Sequence, residues 1–454
     1  MTPTDATTGR AATTWRKHDG VVGRAGAAAL MWHVAPPGDK SISHRALLFG
    51  AMAGGPVRIR GLSTAADVES TAAALRALGA GIPALDSTEL TLAGDSEWRT
   101  AEAPIDCANS GTTVRLLTGL LVGLGLGAEL DGDASLRRRP MDRVVYPLQA
   151  MGGRIRYEGS PDRLPIVVEA RASGALRTLR HRQRVASAQV KSALLLAGVM
   201  SRTPVEVIEP YRSRDHTERM LEAMGVPINA RSLDPGNEVR FDPKGWDGRF
   251  EIDEIRVPGD PSSAAFLIGA ALLRGRPVRA AGISLNPTRT GFLDALMRMG
   301  AGVETSAGGC SAGEPSGDVI VSPGRLRGIR IAAAEIPAML DEIPALAGVA
   351  VRAAGHTRIE GAGELRVKES DRLAVIAANL RRLGVECSEG PGTLEIEGTS
   401  RALEGRVITH GDHRIAMAFA MLGSAPETRI ELDDPECVSV SFPDFFQAIA
   451  GVAS

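Results

Sequence analysis

Two kinds of apolar pattern alternate along the chain. The first is an amphipathic stripe that ends in glycine. Leu373, Ile376, Leu380 and Leu383 fall at helical spacing just before Gly384, and a glycine there supplies the left-handed residue that stops a helix. The ending recurs as "RALGAGI" at 76–82, "QAMGGRI" at 149–155, "EAMGVPI" at 222–228, "MRMGAGV" at 297–303 and "RRLGVEC" at 381–387, with a weaker "QAIAGV" at 447–452. The glycines Gly79, Gly152, Gly225, Gly300, Gly384 and Gly451 are 73, 73, 75, 84 and 67 residues apart, which marks an internal repeat.

The second pattern is a run of Ala, Leu and Gly followed by a β-like stretch. Ser43–Gly50 leads to "PVRIRG", Ala186–Met200 to "PVEVIE", Ser262–Leu273 to "PVRAAGI", Glu342–Arg352 to "HTRIEG" and His413–Leu422 to "ETRIEL". A helix with small apolar residues nearly all round is buried on most sides, so these are inner helices and the amphipathic ones form an outer layer. One unit then reads strand, buried helix, strand, amphipathic helix, strand, strand. Six units divide naturally into two domains with three inner helices each, and "IRVPGDPSS" at 255–263 marks the break. The predicted class is α/β, with units 1–3 over 34–256 and units 4–6 over 257–454. Residues 1–33 are expected to be a flexible extension running into the first strand. An ordinary doubly wound α/β protein whose helices happen to end in Leu-Gly is the alternative.

Composition narrows the function classes. A chain of 454 residues, 44% hydrophobic, can bury two large cores. A net charge of −2 with both signs dispersed, and 4% aromatics, predict no nucleic-acid partner. Cys107, Cys310, Cys387 and Cys437 lie far apart with no CxxC, which suits reduced thiols and a cytoplasmic setting. The longest apolar run, Leu116–Leu126, is short and glycine-broken, well under the ~18 residues a membrane helix needs, so no membrane partner is expected. Arg24 interrupts the only stretch resembling a signal peptide.

Polar residues cluster where helices should begin. They include "PPGDKSISHR" at 36–45, "CANSGTTVR" at 107–115, "RRRPMDR" at 137–143, "ASAQVK" at 186–191, "SRDHTE" at 213–218, "MLDEIP" at 339–344, "KESDR" at 368–372 and "GDHR" at 411–414. A helix N-terminus already attracts anions through free N–H groups and its dipole. Lys40, Arg45, Arg139, Arg214, Lys368, Arg372 and Arg414 placed there oppose the dipole and do nothing for helix stability. "KESDR" reads as the opening of the helix that ends at Gly384, so Lys368 and Arg372, four apart, share a face and repel by roughly 0.2–0.5 kcal/mol. Each motif alone has a plain alternative in a capping turn, a solvated basic loop or a structural salt bridge. Their repetition predicts termini converging on a cleft for a multiply charged anion, since arginine forks suit carboxylate and phosphate. "GDKS" lacks P-loop spacing, "GLGLG" at 123–127 is not GxGxxG, and His410 and His413 lack further ligands for a metal.

"PGDKSISHRAL", "NSGTTVRLL", "RRRPMDRV", "ASAQVKSALLLAG", "SRDHTERML", "LRVKESDRL", "DHRIAM" and "SFPDFF" occur in this order from about Val34 onward. On these motifs the chain resembles the 5-enolpyruvylshikimate-3-phosphate (EPSP) synthase family. The resemblance implies the two-domain enolpyruvyl transferase fold (an inverse α/β barrel), three βαβαββ units per domain, closing over substrate. It implies a cofactor-free and metal-free monomer of the shikimate pathway that joins phosphoenolpyruvate (PEP) to shikimate 3-phosphate. By similarity, Lys40, Ser41, Arg45, Ser187, Ala188, Gln189, Arg214, Asp341 and Lys368 meet shikimate 3-phosphate. Lys40, Gly111, Thr112, Arg139, Gln189, Arg372 and Arg414 meet PEP. Glu369 is implied to exchange the proton at the PEP methylene, Asp341 to act as base for the hydroxyl, and Lys40 to share in proton transfer.

Three positions depart from other members. Val440 stands where some have a lysine, Glu364 where some have an asparagine, and Leu116 where others have proline. These resemble the glyphosate-insensitive subclass, whereas Gly111 is the form associated with sensitivity. UDP-N-acetylglucosamine enolpyruvyl transferase shares the fold and donor, but its usual acid is a cysteine in a basic loop, which this chain lacks. An RNA 3′-phosphate cyclase-like ligase and an inactive anion-binding homologue are the more distant alternatives.

Overall fold

The computed structural model describes residues 31–171 and 174–451; the expected flexible extension over 1–30 lies outside them. Helices alternate between inner and outer, as the two apolar patterns require. In the first half they are α1 (Lys40–Met52), α2 (Ala66–Ala77), α3 (Gly111–Leu124), α4 (Asp142–Met151), α5 (Ala188–Ser201) and α6 (His216–Ala223). In the second half they are α7 (Pro261–Leu273), α8 (Gly291–Met299), α9 (Ile343–Ala350), α10 (Arg372–Arg382), α11 (His413–Gly423) and α12 (Phe445–Ala450). Odd-numbered helices are the inner ones. α7 is buried from Pro261 to Leu272, whereas α10 exposes part of its polar face.

Five of the six repeat glycines end outer helices in the left-handed region. Gly79, Gly152, Gly225, Gly300 and Gly384 have φ of 95°, 108°, 79°, 108° and 79°, conformations a Cβ would strain. Gly451 is the exception, at φ −59°.

Units 1–5 each close with a small mixed sheet, and unit 6 with a parallel pair, Leu403–Val407 beside Thr428–Leu432. In unit 2, for example, Ile105–Asp106 runs parallel to Ala128–Asp131, which pairs antiparallel with Ile166–Val168. The first strands of units 1 and 4 are exchanged relative to the simple repeat. Trp32–Val34, expected to lead into unit 1, pairs in parallel with Val278–Ala280 of unit 4. Glu254–Arg256, at the end of unit 3, completes the sheet of unit 1 beside Arg58–Arg60. The chain therefore crosses twice between two hydrophobic cores. One core draws on Ile42 through Val257, the other on Val34 and Ala264 through Phe445. Sequence spacing could not show the exchange, because a strand pairs with whichever sheet edge the crossover brings near it.

Inner helices pack close enough to need glycine. A Cβ on Gly119 of α3 would stand 2.1 Å from the carbonyl oxygen of Ala193 in α5. Neither backbone can move without opening the core around Leu117, Leu120, Leu194 and Leu195, all fully buried. Gly119→Ala is therefore expected to destabilise the protein by about 1–3 kcal/mol. Chemical denaturation checks this; an unchanged midpoint would show that the helices separate freely.

Candidate active site

Asp39, Ser110, Ser187, Asp260 and Asp412 cap inner helices by accepting from the backbone N–H groups of Ile42, Thr113, Val190, Ser262 and Arg414. These starts face one cavity of about 190 Å³ between the two cores. Its walls carry Lys40, Ser41, Arg45, Gly111, Thr112, Arg139, Ser187, Ala188, Gln189, Arg214, Asp341, Lys368, Glu369 and Arg414. Arg372 stands behind the wall, 1% exposed. All of the sequence-predicted site residues thus meet at one place.

The local setting of several differs from expectation. α10 begins at Arg372, capped by Asp371, so Lys368 and Glu369 precede the helix instead of forming its first turn. Lys368 is extended at the end of a short 3₁₀ turn. The helical face shared by Lys368 and Arg372 does not exist, because the Asp371 cap starts the helix after Glu369. Arg139 and Arg214 likewise lie just before α4 and α6. Arg137 is exposed and pairs with Asp131, leaving Arg139 as the cavity-lining member of "RRR".

Carboxylates of the second half reach across to arginines of the first. Arg214 is 2.8 Å from Asp341, Arg139 is 3.4 Å from Glu369, and Arg143 is 2.8 Å from Glu364. Within the second half, Lys368 and Arg372 each stand 3.5 Å from Asp341. Arg372 also holds Glu369 at 2.5 Å and Asp412 at 2.8 Å. Arg414 donates to the Asp341 carbonyl oxygen at 3.0 Å. In the first half, Lys40 meets Asp67 at 2.6 Å. Gln189 accepts from Arg115 at 2.9 Å and donates to the Thr112 hydroxyl at 3.1 Å, which fixes the amide's orientation. Among the described residues, Arg45 donates to neutral groups, the hydroxyls of Thr217 and Ser192 and the Ser41 carbonyl, and pairs with no carboxylate directly.

Protonation follows this geometry. Burial pushes the Asp341 carboxyl up, but Lys368, Arg414, Arg214 and Arg372 outweigh it and hold the group well below its usual range. Glu369 is likewise raised by burial and lowered further by Arg372 and Arg139, ending well below normal. Burial lowers Lys368, with Asp341 opposing and Arg372 reinforcing the shift. Arg115 falls to about 9 through burial and the nearby Arg139 and Arg143. Nine basic side chains on the wall face five carboxylates, a surplus of four among the lining residues, of which Arg289 is paired behind the wall with Asp39.

Sequence reasoning did not single out Asp67, Arg115, Arg143, His216 or Arg289, all of which line the cavity. Arg115 carried a usable signal, since it lies four residues after Gly111 on α3 and must share its face. Asp67 carried none.

The sequence pattern of the EPSP synthase (3-phosphoshikimate 1-carboxyvinyltransferase) family matches residues 25–449. The chain belongs to the EPSP synthase family. A relative named 3-phosphoshikimate 1-carboxyvinyltransferase from Desulforudis audaxviator is 46% identical over 417 residues, 91% of this chain and 95% of the relative. One of the same name from Thermus thermophilus is 46% identical over 414 residues, covering 90% and 94%. The solved EPSP synthase of Acinetobacter baumannii superposes with a TM-score of 0.79 at 36% identity, covering 94% of this chain and 96% of that one. The enolpyruvyl transferase NikO of Streptomyces tendae shares the fold, with a TM-score of 0.71 at 19% identity over 94% of this chain and 96% of that one. The two-domain enolpyruvyl transferase fold therefore holds for this EPSP synthase family member. Among the described residues, no helix is long and apolar enough to cross a membrane, and no group of three or more His, Cys, Asp and Glu is placed to hold a metal.

Two buried histidines, His44 next to Arg45 and His413 next to Arg414, make stability depend on pH. Burial, the largest cause, lowers His413 to about 4 and His44 to about 3. Unfolded, both would bind a proton below about 6.5. The unfolded chain then holds more protons than the native one, so stability falls as pH drops from about 6.5 toward 4. Denaturation at pH 7 and pH 5 is expected to differ by a few kcal/mol, on the order of 1.4 kcal/mol per unit for each group. Equal stability at the two values would mean that one or both imidazoles protonate in the native state.

Proposed function

We propose that this protein transfers the enolpyruvyl group of PEP to the 5-hydroxyl of shikimate 3-phosphate, releasing phosphate, as a cytoplasmic monomer in aromatic amino acid biosynthesis. The observation that carries this is the four-charge cationic surplus enclosed with Glu369 and Asp341. Each substrate bears a carboxylate and a phosphate, the latter of about −1.5 to −2 charge near neutral pH. Two such anions suit the surplus of basic side chains on the wall and account for cations placed against helix dipoles.

In this proposal, Arg45, whose partners among the described residues are neutral, holds the shikimate carboxylate. Ser41, Ser187, Ala188, Gln189 and Arg214 hold the rest of the acceptor. Arg139, Arg372 and Arg414 clamp PEP with the main chain at Gly111 and Thr112. Gly111 fits this because a Cβ there would stand 2.6 Å from an Arg115 nitrogen and 3.0 Å from Arg139. Lys40 and Lys368 lie between the substrates. The domains, divided at 256/257, close over both.

Glu369 gives a proton to the PEP methylene, and the adjacent carbon becomes electrophilic. Asp341, with Lys40 assisting, takes the proton of the attacking hydroxyl. A tetrahedral ketal phosphate forms. Glu369 then reclaims a methyl proton as the C–O bond to phosphate breaks, restoring the double bond. The depressed acidity of Glu369 is compatible with this role once substrates bind. Their negative charges offset Arg372 and Arg139 while the closed cleft keeps water out, so the carboxyl moves up toward a donating range.

UDP-N-acetylglucosamine as acceptor has less support. No cysteine lines the cavity among the described residues, and Cys107 is fully buried with its thiol pushed up by burial. A phosphate-release assay with PEP compares the two acceptors; turnover is expected with shikimate 3-phosphate alone. Release with the UDP-sugar, or with neither, would refute the assignment. Glu369→Gln is expected to keep the fold and lower turnover about 10²–10⁴-fold, checked by the same assay beside circular dichroism; near-wild-type turnover would remove Glu369 from the chemistry.

A further inference from the structure

The two crossover segments share a tripeptide. Pro37-Gly38-Asp39 precedes α1 and Pro258-Gly259-Asp260 precedes α7. They run antiparallel and bind each other reciprocally: the Asp39 N–H donates to the Pro258 carbonyl at 2.7 Å, and the Asp260 N–H to the Pro37 carbonyl at 2.8 Å. Both aspartates cap the helix that follows. A Cβ on Gly38 would stand 1.8 Å from the Gly61 carbonyl oxygen, so the crossing has no room for a larger residue there.

One side chain joins the two caps. Arg289, between the strand Val278–Ser284 and α8, is 1% exposed on its side chain. Its two terminal nitrogens face different domains. Nη1 donates to Asp39 at 2.8 Å and lies 3.4 Å from Nε2 of His216, both on the first-domain side. Nη2 donates to Asp260 at 3.3 Å and to the Ser262 hydroxyl at 2.9 Å, with Glu342 at 3.6 Å, all on the second-domain side. The residues held this way adjoin the reacting groups. Asp39 precedes Lys40, whose backbone N–H also donates to Asp260, and Glu342 follows Asp341.

We propose that Arg289 is a positioning residue that clasps the interdomain crossing, setting the distance and angle between Lys40 of one domain and Asp341 of the other. The proposal rests on the functional reading above for the roles of Lys40 and Asp341. A planar fork with nitrogens spaced for two carboxylates can serve both domains at once. A lysine ammonium in the same place keeps the charge but is a single point, and cannot hold both caps at these distances. Arg289 acts through its neighbours' positions, so its loss should tell more on the step that needs both domains than on acceptor binding, most of whose assigned contacts come from the first domain.

Arg289→Lys tests the fork. Asp39→Asn tests the first-domain half separately, since asparagine still caps α1 through Oδ1 while its NH2 replaces the charged acceptor that faces Arg289. In both variants kcat for phosphate release is expected to fall at least about fivefold, because small misplacements of reacting groups cost large factors. The Kd of shikimate 3-phosphate, measured calorimetrically, is expected to change less than kcat does. A kcat within fivefold of wild type in both variants overturns the clasp, as does a loss of acceptor affinity as large as the loss of kcat. If Arg289→Lys does not fold, Asp39→Asn decides alone. Absence of turnover in the wild type with PEP and shikimate 3-phosphate would sink the functional reading instead. Small-angle scattering of the unliganded proteins then judges the clasp without any substrate. A wider spread of interdomain spacing in the variants supports it, and profiles superimposable on wild type refute it.

Discussion

Like charges gathered in an enclosed space repel more strongly than in water, and the cleft gathers nine of them against five carboxylates. Much of the architecture exists to hold that imbalance. Helix starts are aimed inward, two hydrophobic cores keep them there, and Asp and Ser caps accept from the first N–H groups, which Lys and Arg, being donors only, cannot do. Burial of Phe49, Leu47, Phe266 and Leu346 on either side of the cleft, each contributing roughly 1.5–3 kcal/mol, provides the rigid backing that lets the repulsion stand.

The protein's own acids pair with part of the basic wall. Asp341 and Glu369 take up Arg214 and Arg139 across the domain boundary, and Glu364 takes up Arg143. These contacts hold the halves together while keeping both acids ionised. An anion in the cavity would share these arginines with Asp341, Glu369 and Glu364. Arg45 is set apart from this exchange by its neutral partners, which leaves its charge available from the outset.

A large part of the site was legible because the cations stand beside capping residues in short, ordered motifs, where local chemistry makes them conspicuous. Lys40 follows the cap Asp39, Arg372 the cap Asp371, and Arg414 lies two residues beyond the cap Asp412. The start of α10 was misjudged, since the hydrophobic stripe locates the middle of a helix and says little about which of Glu369 and Asp371 begins it. Arg289 and Asp67 were overlooked for another reason. Each lies near an outer helix with no pattern to distinguish it, and gains meaning from partners 250 and 27 residues away.

The sequence by itself determined the repeat, the alternation of inner and outer helices, the family resemblance and the clustering of basic groups at helix starts. All of these follow from local periodicity and capping chemistry, which act within a few residues. Tertiary structure alone decided that Trp32–Val34 joins the second core and Glu254–Arg256 the first. It also decided which carboxylate meets which arginine, and that one guanidinium holds both crossovers. Such pairings depend on where distant segments are packed, and neither apolar spacing nor charge pattern along a chain carries that coordinate.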